Sequence, residues 1–180
     1  MSREKSLIWA ERACSDLAKK LALSFSTRQK SRGIINSFWF EISRNALDLA
    51  VLEWCHLFGQ RKDALHWSKV LSGTENFKAH MLSAIEISEE KWEEYWSQIK
   101  VYRDKDLAHI EARNISMIPS MEIAINSTAF YYSKIQYALA ELGRAPQRQM
   151  SFFDILDVYT KQFEQQAEIA LIATGTLRNA

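Results

Sequence analysis

The sequence predicts an all-α fold. Three observations carry this. Only five Gly and two Pro punctuate 180 residues, too few for the regular turns of a β-rich chain. Apolar residues recur at helical spacing along most of the length. The apolar fraction of 47% is ample for one core, and the length suits one domain, residues 1–180. The expected architecture is a helical bundle of about five main helices plus a short one.

The first helix is read over residues 3–26, from Leu7, Ala10, Cys14, Leu17, Leu21 and Phe25. A polar, basic connection from Ser24 to Gly33 follows, holding Arg28, Lys30 and Arg32. A second helix runs from about Ile34 to Phe58 and ends at Gly59, a C-cap residue. Its apolar residues lie on most sides (Phe38, Trp39, Phe40, Leu47, Leu49, Val51, Leu52, Trp54), which predicts a central position. A short piece spans Ala64 to Leu71, with Trp54 and Trp67 expected to pin it to the bundle.

Thr74 is read as the cap of a helix reaching about Ile87. Ser88 then caps the next one, with Glu89 and Glu90 in the first turn, where the helix dipole favours acids. That helix is expected to run to about Arg113. Asn114 to Ser120 is a connection. Met121 to Leu142 forms a long helix that stops at Gly143. After a loop with Pro146, Ser151 and Asp154 start a last helix to about Ala173.

Charge excludes little. The net charge of +1 implies no global attraction to nucleic acid or membrane. Residues 1–32 carry a net of +5, and Glu86 to Glu94 a net of −4. No run approaches the ~18 apolar residues of a membrane span, and the first residues are too polar for a signal peptide. A cytoplasmic location without membrane partners is expected. Cys14 and Cys55 make no disulfide framework and are read as reduced core thiols. Cys55 and His56 are adjacent, about 100° apart on a helix, which is poor geometry for a nucleophile and its base. The histidines have no metal-ligand spacing, and no phosphate-binding glycine loop is present. No metal and no cofactor are therefore expected. The basic run Arg28, Lys30, Arg32 is a candidate RNA contact, although short charge runs are more often simply solvated.

One segment breaks its own pattern. On a helical wheel starting at Trp92, residues Trp96, Ile99, Leu107 and Ile110 define the buried stripe. Arg103, at about 20°, and Asp106, at about 320°, fall inside it. His109 lies on the flank beside Tyr102. Burying a charge is costly unless it is paired, so Arg103 and Asp106 are expected to form a pair. Arg103 and His109 are about 9 Å apart along the axis and about 120° around it. They converge poorly within one helix. A two-fold axis near Asp106 would lay Arg103 of one chain against His109 of another and build a composite site twice.

At Tyr102-Arg103-Asp104-Lys105-Asp106-Leu107-Ala108-His109 the chain resembles the HEPN superfamily, and within it the abortive-infection branch. That family is marked by an Arg, a polar residue directly after it, and a His four to six residues beyond the Arg. Trp54-Cys55-His56-Leu57-Phe58-Gly59 and His66-Trp67 resemble upstream positions in proteins of that type. The resemblance implies a helical bundle that dimerises through the motif helices. It implies a metal-independent ribonuclease acting as a toxin or in phage defence, paired in some cases with an antitoxin protein. Other members are non-catalytic modules that bind a nucleotide, RNA or a protein partner.

On this reading Arg103 holds the scissile phosphate and stabilises its developing charge. His109 serves as general base toward the ribose 2′-OH. Asp106 orients one of them, and Asp104 occupies the motif's polar position, where Asn is frequent. Tyr102 and Lys105 join the catalytic group as candidate RNA contacts. The implied product carries a 2′,3′-cyclic phosphate, and DNA is not a substrate.

Overall fold

The computed structural model describes residues 2–30, 37–104, 119–144 and 150–175. Among the described residues every regular element is a helix. Seven occur in chain order: α1 (Arg3–Lys30), α2 (Ser37–Phe58), α3 (Trp67–Val70), α4 (Phe77–Ala84), α5 (Glu89–Tyr102), α6 (Glu122–Glu141) and α7 (Phe152–Gly175). The all-α bundle expected from the sequence is the fold observed.

The helix at the centre is α1, not α2. It packs most extensively on α2 and α7, and also on α6 and α3. Its buried face is built largely of small residues, with Ala10, Cys14, Ala18 and Ala22 fully covered, and short side chains let neighbouring helices approach closely. The apolar excess of α2 is instead partly at the surface: Phe38, Phe40 and Leu49 are all exposed.

The polar stretch after Ser24 is not a connection. It continues α1 to Lys30. Ser24, Ser26 and Thr27 are buried because each hydroxyl finds an acceptor. Thr27 Oγ1 donates to the Leu23 carbonyl at 2.7 Å. Ser26 Oγ donates to the Thr160 carbonyl on α7 at 3.1 Å. Ser24 lies beside Ser43, whose hydroxyl donates to the Ser24 carbonyl at 3.0 Å. A satisfied hydroxyl is tolerated inside a helix–helix contact.

The helix assigned to Thr74–Ile87 is shorter than expected. Asn76 stands at its N-cap without a side-chain bond, and it ends at Ala84. Its exit is a left-handed turn at Glu86, φ 55°. The Ile87 amide reaches back to the Leu82 carbonyl at 3.1 Å, a helix-terminating pattern in which glycine is usual.

The caps of α5 and α7 follow the sequence. Ser88 Oγ accepts from the Lys91 amide. Ser151 Oγ accepts from the Asp154 amide at 3.1 Å while Asp154 Oδ2 accepts from the Ser151 amide at 2.8 Å, a reciprocal capping box.

An aromatic cluster ties α2, α5 and α6 together. Trp54 is fully buried, stacks on Phe58 at 5.4 Å and meets Trp92 and Tyr95. Its indole N–H donates to Ser127 Oγ at 3.0 Å. Trp67 of the short α3 stacks on Phe77 at 4.6 Å. Cys14 and Cys55 are buried free thiols.

Candidate functional site around Arg103

The C-terminal end of α5 carries the segment singled out in the sequence. Trp92, Tyr95, Ile99 and Tyr102 form its buried face. Regular α-helical hydrogen bonding gives way to a wider π turn at Arg103 and Asp104. Such turns are rare and frequently mark functional sites.

Arg103 is mostly covered, with 19% of its side chain exposed. Its guanidinium is held by its own neighbour: Nε donates to Asp104 Oδ1 at 2.8 Å, and Nη2 approaches the same oxygen at 2.7 Å. Burial works against its charge, and Asp104 together with the Cys55 sulfur more than offsets this, so its pKa is raised. The guanidinium also faces the Cys55 thiol across on α2. Burial pushes that thiol up to about 11, with Arg103 pulling the other way. At neutral pH Cys55 is a protonated, non-nucleophilic thiol.

Tyr102 is fully buried. Its hydroxyl donates to Asp48 Oδ1 at 2.5 Å, and Arg44 Nε lies 3.9 Å from the other Asp48 oxygen. This triad locks the end of α5 to α2. Asp48 carried no signal toward this site in the sequence, because Tyr102 is 54 residues away; Arg44 is its i, i+4 neighbour on α2.

Among the other candidates, Arg28 is exposed on α1, 75 positions before Arg103 in the chain, and Lys30 closes that helix. Arg32, Lys105, Asp106 and His109 lie outside the described residues. The expected Arg103–Asp106 pair and the Arg103–His109 site lie there with them.

A second group of polar side chains was passed over in the sequence. His66, Arg61 and Lys78 line a cavity of about 270 Å³ with Trp67, Trp92 and Trp96. Its floor includes Gly59, where an added Cβ would lie 2.4 Å from the Cys55 carbonyl; the turn therefore requires glycine. The signal available was His66 two residues before Ser68, a cap position. His66 Nδ1 accepts from the Ser68 amide at 3.2 Å.

No family model, curated protein or solved structure matches the chain.

Among the described residues, no group of three or more His, Cys, Asp or Glu is placed to hold a metal ion. No helix among them is long and apolar enough to cross a membrane.

Proposed function

We propose that this chain is a metal-independent ribonuclease of the toxin or phage-defence type, of HEPN kind, working through Arg103 and His109 at a homodimer interface. The observation that carries the reading is the π turn at Arg103–Asp104, which holds a mostly covered guanidinium at the start of the motif. A buried arginine is expensive, and Asp104, itself about half exposed, meets only part of its donor capacity. Arg103 can therefore share its fork with a phosphate. The apolar surface nearby supports self-association. Val101 and Leu49 are 44% and 49% exposed, and each adjoins a partner of the Tyr102–Asp48 bond.

In the proposed reaction His109 of one protomer takes the 2′-OH proton. The resulting oxyanion attacks the adjacent phosphorus, the P–O5′ bond breaks, and the 5′-oxygen leaves with a proton taken from water. Arg103 stabilises the charge on the phosphoryl oxygens. Single-stranded RNA should be cleaved in the presence of a chelator. His109→Ala should slow cleavage by ~10²–10⁴-fold with the helical signal intact. Cleavage that survives this substitution, or that requires added metal, contradicts the mechanism.

A second reading has one observation in its favour. The Arg103–Asp104 pair is closed, with two contacts below 3 Å to a single oxygen. If it stays closed, the chain is a non-catalytic module, and it would bind RNA or a partner without cleaving RNA. An antitoxin partner belongs to the ribonuclease reading and would be found by its suppression of cleavage.

A further inference from the structure

A cavity of about 790 Å³ lies on α6, between the end of α4 and the start of α7. Its size is that of a site for a small organic molecule. The walls are mainly apolar, from Ile85, Phe130, Tyr132, Phe152 and Phe153. None of the lining comes from α2 or α5, so the cavity is separate from the site around Arg103.

Among the described residues Glu86 is the one charged side chain that lines it, and no Lys, Arg or His does. Glu86 stands at φ 55°, whereas Gly73 and Gly143 fill the other left-handed positions described. A side chain is strained there, and such strain is a mark of sites where the side chain has a task. Its carboxylate forms no ion pair or hydrogen bond among the described residues. Within the fold nothing therefore accounts for a glutamate at a position that suits glycine.

The helix ends at the cavity point to the same sign of charge. The C-terminal end of α4, at Ala84 and Ile85, presents the negative end of its dipole. The start of α7 would favour an anion, but Asp154 already meets it by accepting from the Ser151 amide at 2.8 Å. Gln136 lines the cavity too. Its Nε2 donates to Glu11 Oε1 at 2.6 Å, which fixes the amide and leaves Oε1 buried without a donor. An unmet acceptor in the wall favours a ligand that brings an N–H.

The geometry points to a binding site for an organic amine here: an apolar, ring-bearing body against Phe130 and Phe152, with its ammonium group at Glu86. The apolar walls supply affinity, and the single carboxylate selects cations over anions of the same shape. The inference is independent of the ribonuclease reading.

The test uses the full chain with isotope-labelled methionine methyl groups. Met150 lines the cavity, and its signal is assigned with Met150→Leu, a volume-conserving change. Three probes share a phenyl ring and differ in charge: phenethylamine, phenethyl alcohol and phenylpropionate, each titrated at neutral pH. Phenethylamine should move the Met150 signal saturably. The alcohol should bind about fivefold more weakly, and the carboxylate more weakly still. Glu86→Gln keeps the shape of the side chain without its charge. It should weaken the amine by about fivefold and leave the alcohol unchanged. Glu86→Gly should lose the same preference for the amine. No movement of Met150 by any probe at millimolar concentration overturns the inference. So does phenylpropionate binding as tightly as the amine, or a Glu86→Gln variant that binds the amine as the wild type does.

Discussion

His66 makes stability depend on pH in a way that can be worked out from its surroundings. Burial lowers its pKa, the Arg61 charge adds to this, Asp63 opposes it, and Lys69 lowers it further, to about 4 against an ordinary 6.5. Lys78 and Glu93 also line the cavity it faces and neutralise each other. In the folded chain the ring stays neutral, so that Nδ1 can accept from the Ser68 amide. Between pH 6.5 and 4 the unfolded chain binds a proton that the folded chain refuses, so stability falls as pH drops through that window and changes no further below it. The full linkage between pH 7 and pH 5 is roughly 2 kcal/mol. Solvent reaching the Nε2 edge through the cavity reduces this to about 1–2 kcal/mol. At ~2–4 °C per kcal/mol for a domain of this size, Tm should drop by about 2–8 °C. Thermal melts of the wild type and of His66→Asn at the two pH values isolate the effect, because every other titrating group is common to both. The wild type should lose more Tm than the variant. Equal losses would refute the reasoning, since they would mean that His66 titrates as it does in the unfolded chain.

Three further outcomes follow from particular contacts. Glu86 sits at φ 55°, where a side chain costs ~1–2 kcal/mol; Glu86→Gly should raise Tm by a few degrees in a calorimetric scan, and a lowered Tm would show that the Glu86 side chain contributes more than the strain. Ser127→Ala removes the acceptor of the buried Trp54 indole N–H and should cost ~1–3 kcal/mol in denaturant unfolding, with a change in tryptophan emission. Asp104→Asn loosens the clamp on Arg103 and removes a negative charge beside the phosphate position; RNA affinity in a filter-binding titration should rise several-fold, and a fall would show that Asp104 is needed to position Arg103.

The sequence made the helix boundaries legible where local chemistry sets them. Ser88, the Ser151–Asp154 pair, Gly59 and Gly143 all mark ends that the structure has. It was less informative where the deciding partner is remote. Ser24 and Ser26 read as the place where the first helix gives way to a connection, yet the helix runs on to Lys30, with Ser43 and Thr160 meeting their polar groups. The apolar run of α2 suggested a central helix, but small residues, which give α1 its central place, leave a weaker hydrophobic signal than Phe38 and Phe40 do at the surface.

At the candidate site the helical wheel found Arg103 on the covered side of α5, and 19% exposure of its side chain agrees. It passed over Asp104 as the partner, because adjacent residues point about 100° apart on a regular helix. The wheel assumes that regular helix, and the π turn departs from it at this point. Tyr102 was read as a flanking RNA contact. Its hydroxyl is taken by Asp48 and its ring is buried, an arrangement that needs α2 and could not be seen in α5 alone.

The central claim is a metal-independent attack by the ribose 2′-OH, and the chemistry of the cleaved ends tests it most directly. An RNA oligonucleotide is incubated with the protein in chelator and the new 3′ ends are analysed by mass spectrometry. A second oligonucleotide carries a single 2′-deoxy residue on the 5′ side of the cleaved bond. The account predicts a 2′,3′-cyclic phosphate on the first and no cleavage of the second at that bond. A 3′-hydroxyl end, or cleavage at the deoxy position, would contradict it.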